Sequence, residues 1–394
     1  MLLIVRRVVV LLLPLHGGAV LAKGCSHDED CNMCGRCDTL SSTCRCDAGW
    51  SGDRCERVNF GHSFPCGQGG LCLSGEQGFV STWGGEAVQS DDGAWHLFAA
   101  GFAENTSLAS WLKKSRVLHA VSAHNASGPY LLRDVSLGAR SGWDGETQHN
   151  PAAVRAADGT YLLFYMGAQS QSVVANESLL PGVNSSYVCP MGSSTGAEET
   201  GCMQRIGLAT ATSPNGPWVR RDAPVLGAGV AGAWDDLFTT NPTPHVFRNG
   251  SVILVYKARS RHAPGVMRTG VAFAIHHAGP YRRLGGGPIA LPGDCEDAGI
   301  YYSETMSVFR MILHCGCTYQ TVWSRDGISW TRGAPPVDWC DVTYPDGRAE
   351  RLARRERPKW LLDGQGTPTH LLNGVEPTVS HGKRTFTMLT AINP

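Results

Sequence analysis

Five short polar stretches carry the residues that could do chemistry in this chain: Trp83-Gly84-Gly85-Glu86, His149-Asn150, Thr240-Asn241, Glu296-Asp297 and Glu356-Arg357. Each stands at the head of an apolar segment. Carboxylates held close together shift one another's pKa, which acid–base work on a sugar requires. Brought into one concavity, these amides, carboxylates, an imidazole, a guanidinium and an indole would make a polar-ligand site.

The elements that must bring them together follow a common spacing. Pro151 precedes Asp158-Gly159 by seven residues, Pro242 precedes Asn249-Gly250 by about the same interval, and Gly85 precedes Asp92-Gly93 by seven. Asp-Gly or Asn-Gly between two apolar runs is a strong hairpin signal. The second halves match as well: LHAVSAHNASGPY, IGLATATSPNGPW, TGVAFAIHHAGPY and QTVWSRDGISW. Five units result, starting near residues 84, 150, 241, 297 and 357. Five four-stranded sheets arranged radially form an all-β, five-bladed β-propeller with short protected edges. A two-sheet sandwich, the alternative, gives no reason for five equivalent openings. In a propeller, each blade's first strand lines the central channel, so the five openings converge on the axis.

Basic and acidic residues balance at 34 each, which gives no electrostatic case for nucleic acid. Residues 1–22 read as a signal peptide: Arg6-Arg7, an apolar run, then small residues ending at Ala22. A membrane anchor would need about 20 apolar residues, and His16 with two glycines cuts the run short. No other transmembrane segment is expected, so the localisation expected is secreted or extracellular. Fifteen cysteines then read as disulfides, one thiol being left over. Five sequons, at Asn105, Asn125, Asn176, Asn184 and Asn249, agree with a glycoprotein.

The domain order read from the sequence is signal peptide 1–22, cysteine-rich module 25–56, Gly-rich connector 57–78 and propeller 79–394. A module this short cannot build an adequate core without bridges. Its ending, Cys44 to Cys55 as C-x-C-x-x-G-W-x-G-x-x-C, resembles an epidermal-growth-factor-like (EGF-like) module. That resemblance implies pairs Cys25–Cys37, Cys31–Cys44 and Cys46–Cys55, and a possible extracellular protein partner. Cys34 is a seventh cysteine with no counterpart in the pattern; zinc at CNMCGRC is the competing reading. Cys189–Cys202 is expected to staple an insertion in blade two. The partners of Cys34, Cys66, Cys72, Cys295, Cys315, Cys317 and Cys340 stay open: Cys66 and Cys72 could pair with each other or capture Cys34, and the last four are expected to make two bridges around blade four.

The propeller section resembles the five-bladed glycoside hydrolases of the family 43 type, the arabinanase and β-xylosidase group. The resemblance rests on HNPAAV, WDDLFTTNP, the Glu-Asp opening of blade four and the GPY, GPW and DGISW turns. It implies a glycan partner and an Asp, an Asp and a Glu at the openings of blades one to three. This chain has Gly84-Gly85, Asn150 and Asn241 there, and an amide is no general base. If the protein is a hydrolase, Glu296 and Asp297 are the first candidates, with Glu86 as the opposing carboxylate. Trp83, His149, Asn150, Asn241, Lys257, Glu356 and Arg357 would bind substrate. A non-catalytic glycan- or protein-recognition module is the alternative. No cofactor and no metal is expected.

Each residue also has a structural reading. Asn-Pro can simply open a strand, Glu356-Arg357 can be an ion pair, and Trp83, Trp143 and Trp234 can be core. Lys257, Arg259 and Arg261 could hold an anionic sugar or form a solvated face. Arg348–Lys359 reads as a charged connector before blade five.

Overall fold

A computed structural model describes residues 24–123, 125–168, 204–291, 295–378 and 384–394. The expected signal peptide, Asn176, Asn184 and the expected Cys189–Cys202 pair lie outside the described residues. Among the described residues, no helix is long and apolar enough to cross a membrane.

Five antiparallel sheets form the propeller. Blade one contains Thr82–Gln89, Trp95–Phe102, Ser115–Ser122 and Leu131–Leu137. Blade two contains Thr147–Arg155, Tyr161–Ala168, Arg205–Ala211 and Val219–Arg220. Blade three contains Phe238–Val246, Val252–Ser260, Ala263–Ala274 and Arg282–Arg283, and blade four starts with Glu296–Ser303, Val308–Cys315 and Thr318–Ser324. Blade five is built on Ala349–Leu362, Pro368–Pro377 and Phe386–Ile392. Its outermost strand is Phe60–Ser63, paired with Phe386–Ile392. The stretch read as a connector therefore supplies a propeller strand and fastens the start of the fold to its end.

The charged run Arg348–Lys359 is not a connector. All but Arg348 lies in the inner strand of blade five, where Arg351 and Arg354 stay exposed while Arg355 finds buried partners. Arg355 is 2% exposed. It donates to Asn373 Oδ1, the Trp339 carbonyl and Thr390 Oγ1 at 3.0, 2.8 and 2.9 Å, between the Phe60 and Trp339 rings. Burying a guanidinium is tolerable only with such a set of acceptors.

Trp143-Asp144 and Trp234-Asp235 are a repeated structural device. Each indole stacks on a tyrosine of the same blade, Tyr165 or Tyr256. Each aspartate accepts that tyrosine's hydroxyl, at 2.6 and 2.9 Å. The WDD part of the sequence resemblance is thus a packing motif.

The cysteine-rich module has the three pairs the resemblance implies, Cys25–Cys37, Cys31–Cys44 and Cys46–Cys55. Cys66–Cys72, Cys295–Cys315 and Cys317–Cys340 are also bridged. Cys34 is a free, buried thiol. The module is packed onto blades four and five rather than held away from them. Trp50, Val58, Tyr301, Tyr319, Trp339 and Trp360 share one core. Trp50 Nε1 donates to Tyr301 Oη at 3.1 Å, and Arg310 reaches out of blade four to the Met33 carbonyl and the Asp47 carboxylate.

Candidate functional site

Every blade's first strand carries a bulge at its opening. The register shifts fall between Trp83 and Glu86, His149 and Ala152, Thr240 and Thr243, Glu296 and Gly299, and Glu356 and Lys359. A bulge leaves one residue unpaired and re-aims its side chain. The residue at each bulge is left-handed: Gly84, Asn150, Asn241, Asp297 and Arg357 have φ of 56, 50, 51, 57 and 61°. Asn and Asp tolerate that conformation, whereas for arginine it costs about 1–3 kcal/mol.

These side chains meet on the axis. Asn241 Nδ2 donates to Asp297 Oδ1 at 2.6 Å, and Arg357 Nη1 donates to the same oxygen at 2.9 Å. Thr240 Oγ1 donates to Asn241 Oδ1 at 2.9 Å. In one orientation the Asn150 amide donates to Asn241 Oδ1 at 2.5 Å. Turned over, it faces His149 Nε2 and Arg357 Nη1, each at 3.0 Å. Burial alone would raise the Asp297 carboxyl, but Arg357, Lys257 and His314 hold it well below the ordinary value.

Arg357 lines two spaces. The larger is a mouth of about 470 Å³ bordered by Trp83, Trp111, His149, Glu296, Glu356 and Glu376, among others. The smaller, about 20 Å³, lies among Asn150, Asn241, Asp297, Arg357 and Lys359. It has room for one water rather than a sugar. Of the residues singled out in the sequence, Trp83, His149, Glu296, Glu356 and Arg357 border the mouth. Asn150, Asn241 and Asp297 line the smaller space instead.

Lys257 touches both Glu296 and Asp297, reaching Asp297 Oδ1 at 3.4 Å. It is thereby committed to this chain's own carboxylates. Arg259 donates to Met267 Sδ, and Arg261 donates from its backbone to Asp236. Glu356 pairs with Arg354 at 2.7 Å rather than with the adjacent Arg357. Trp83 is 1% exposed, with the Arg354 guanidinium over its ring at 5.0 Å.

Glu86 borders neither space. Burial pushes its carboxyl up to about 7, against the pull of Lys359 and the Ala153 backbone N–H. Lys359 is driven down to about 8 by burial, Glu86 and Asp297 opposing. The Lys359 ammonium donates to the Pro242 carbonyl at 3.2 Å and to Thr243 Oγ1. Glu86 thus belongs to a buried charge group next to the axial ring, away from the mouth that Glu296 borders.

Several site residues are not singled out by the sequence. His314 Nδ1 lies 3.6 Å from Asp297 and 4.0 Å from Glu296, and its Nε2 lies 3.8 Å from Glu356. His314 pairs with Glu296 across the blade as Lys257 pairs with Thr240. A polar residue closing an apolar second strand was the available signal, and it applies equally to both. Trp111 comes from a short helix, Trp111–Lys114, between the second and third strands of blade one, and stacks on His149 at 5.2 Å. The Ser115 Oγ–His149 Nδ1 contact of 2.7 Å fixes that ring, and Thr147 Oγ1 donates to the Trp111 carbonyl at 2.7 Å. Burial, reinforced by Arg357, holds the His149 imidazole well below its ordinary pKa, so it is neutral. Nothing periodic marks Trp111, because it opens a helix of only four residues, Trp111–Lys114, too short to show a pattern.

Glu296, Asp297 and His314 are close enough to hold a metal ion. Lys257 and Arg357 already place positive charge against those carboxylates, which opposes a cation there.

No family model matches the chain, and no curated protein resembles it closely enough to be matched. Solved structures do. A family 117 glycoside hydrolase of the marine bacterium Zobellia galactanivorans is 14% identical, with TM-score 0.56 over 84% of this chain and 89% of that one. The α-L-arabinofuranosidase of Podospora anserina, solved with cellotriose, is 10% identical, with TM-score 0.53 over 85% and 98%. The family 62 α-L-arabinofuranosidase of Coprinopsis cinerea is also 10% identical, with TM-score 0.55 over the same shares. At these identities the likeness is one of architecture: the chain has the five-bladed propeller fold found in these glycoside hydrolases.

Proposed function

We propose that this is a secreted protein that binds a glycan in the mouth of its propeller. One observation carries the reading. Blades one, two, four and five deliver carboxylates, a guanidinium, a neutral imidazole and the Trp111–His149 stack to a single cavity of about 470 Å³. Sugars are bound by such a mixture, polar groups taking hydroxyls and an aromatic face taking the C–H side. The fold likeness to glycoside hydrolases and the disulfide content support a carbohydrate ligand and an oxidising compartment.

Cleavage of a glycosidic bond is the second reading. It is favoured by Glu296 and Glu356, which border the same mouth from adjacent blades with His314 between them. Two carboxylates flanking a bond are what hydrolysis needs. Asp297 is a poor participant, being engaged by Asn241, Arg357 and Lys257. Glu86 lies away from the mouth.

The test is a panel of plant, algal and animal glycans, followed for both binding and product release, with wild type, Glu296→Gln and Glu356→Gln. Binding without release supports recognition. Release by wild type and by neither variant supports hydrolysis. Folded protein that neither binds nor cleaves any glycan overturns both.

A further inference from the structure

A second polar group lies far from the mouth, where the hairpin tip of blade two meets the turn between the third and fourth strands of blade three. Asp158, His276 and His277 there each offer a ligand atom, all mutually within 4.8 Å. We propose that these three side chains form a divalent metal site of zinc type that clasps blade two to blade three.

The argument starts from His277, which is 8% exposed. Its Nε2 lies 3.6 Å from Asp158 Oδ2, too long for a hydrogen bond. That separation is close to the edge of a zinc tetrahedron, about 3.4 Å for ligand distances of about 2.0–2.1 Å. His277 Nδ1 has no hydrogen-bond partner among the described residues.

The carboxylate is already aimed. Asp158 Oδ1 accepts the Thr160 N–H at 2.9 Å, leaving Oδ2 toward His277. Gly159, at φ 88°, permits the tight tip that presents it. Asp158 and His276 are exposed and can close on an ion, while the His277 ring is fixed by its burial. His276 Nδ1 accepts the Ala278 N–H at 3.2 Å. Ligation through Nε2 replaces that bond, because a metallated imidazole carries its proton on the other nitrogen. Two imidazoles and a carboxylate suit zinc better than calcium or magnesium, which take oxygen ligands. Water would complete the coordination.

The experiment uses the full chain, stripped with chelator and titrated with zinc alone, then with cobalt for its visible absorption. Wild type is expected to take one ion at this site and to rise in Tm with added zinc. His276→Ala and Asp158→Asn should each weaken binding by about tenfold or more and lose the Tm response. Glu296→Gln should bind as wild type does. Absence of saturable zinc binding by wild type overturns the proposal. So does binding that Glu296→Gln abolishes and His276→Ala leaves intact.

Discussion

Arg357 and Asp297 meet on the propeller axis through a contact of 2.9 Å, each the left-handed bulge residue of its own blade. Asp297 also faces Lys257, so one buried carboxylate answers two cations. Asp297→Asn leaves those charges without their counter-ion and is expected to cost about 3 kcal/mol or more. Urea denaturation measures it. Because the folded Asp297 pKa is depressed, its contribution is present above the unfolded carboxylate range, near 4, and is lost as pH falls into acid. A variant with wild-type stability and acid sensitivity would remove Asp297 from the axis's architecture.

Glu86 should act in the opposite sense. Its folded pKa is raised to about 7, so the folded state binds a proton that the unfolded state releases at lower pH. Its contribution is complete below about 4.5 and is lost as pH rises through about 7. Glu86→Gln should flatten the stability profile across that window, read as urea midpoints at stepped pH. An unchanged slope would mean that the carboxylate is solvated in the folded protein.

Arg310 ties the cysteine-rich module to blade four through Asp47 and the Met33 carbonyl. It is 3% exposed. Arg310→Ala strands the module's acceptors, and a loss of about 3 kcal/mol is expected. Limited proteolysis should then cut first near the module. Separation of the module without loss of propeller stability would show that the shared core contributes little.

Cys34 is expected to be inert in the folded protein. Burial pushes its thiol up to about 12, and only the thiolate reacts. A thiol reagent should label it only after denaturation. Rapid labelling under native conditions would require the module to open.

Much of the fold is legible in the sequence, because hairpin turns need Gly after Asp or Asn and propeller strands need apolar runs. Those are local demands, so Asp158-Gly159 and Asn249-Gly250 declare themselves without tertiary information. The five openings are legible for the same reason: each is a polar interruption at the head of an apolar strand. The module's pairings are those that the resemblance of its ending to an EGF-like module implies.

What each opening faces was decided by tertiary structure. Glu86 and Glu296 are both carboxylates near blade openings. Glu86 stands two residues beyond its bulge residue, Gly84, whereas Glu296 immediately precedes Asp297. That offset puts one beside Lys359 and the other in the mouth. Glu356-Arg357 reads as a pair, yet the bulge turns neighbouring side chains apart, toward Arg354 and Asp297. The charged run around Arg355 looks like a solvated connector until Phe60, Trp339, Asn373 and Thr390 enclose it. Composition and periodicity thus specified the blades and their number. Only packing across blades, which joins residues remote in the chain, selected which polar groups share a cavity and which neutralise one another.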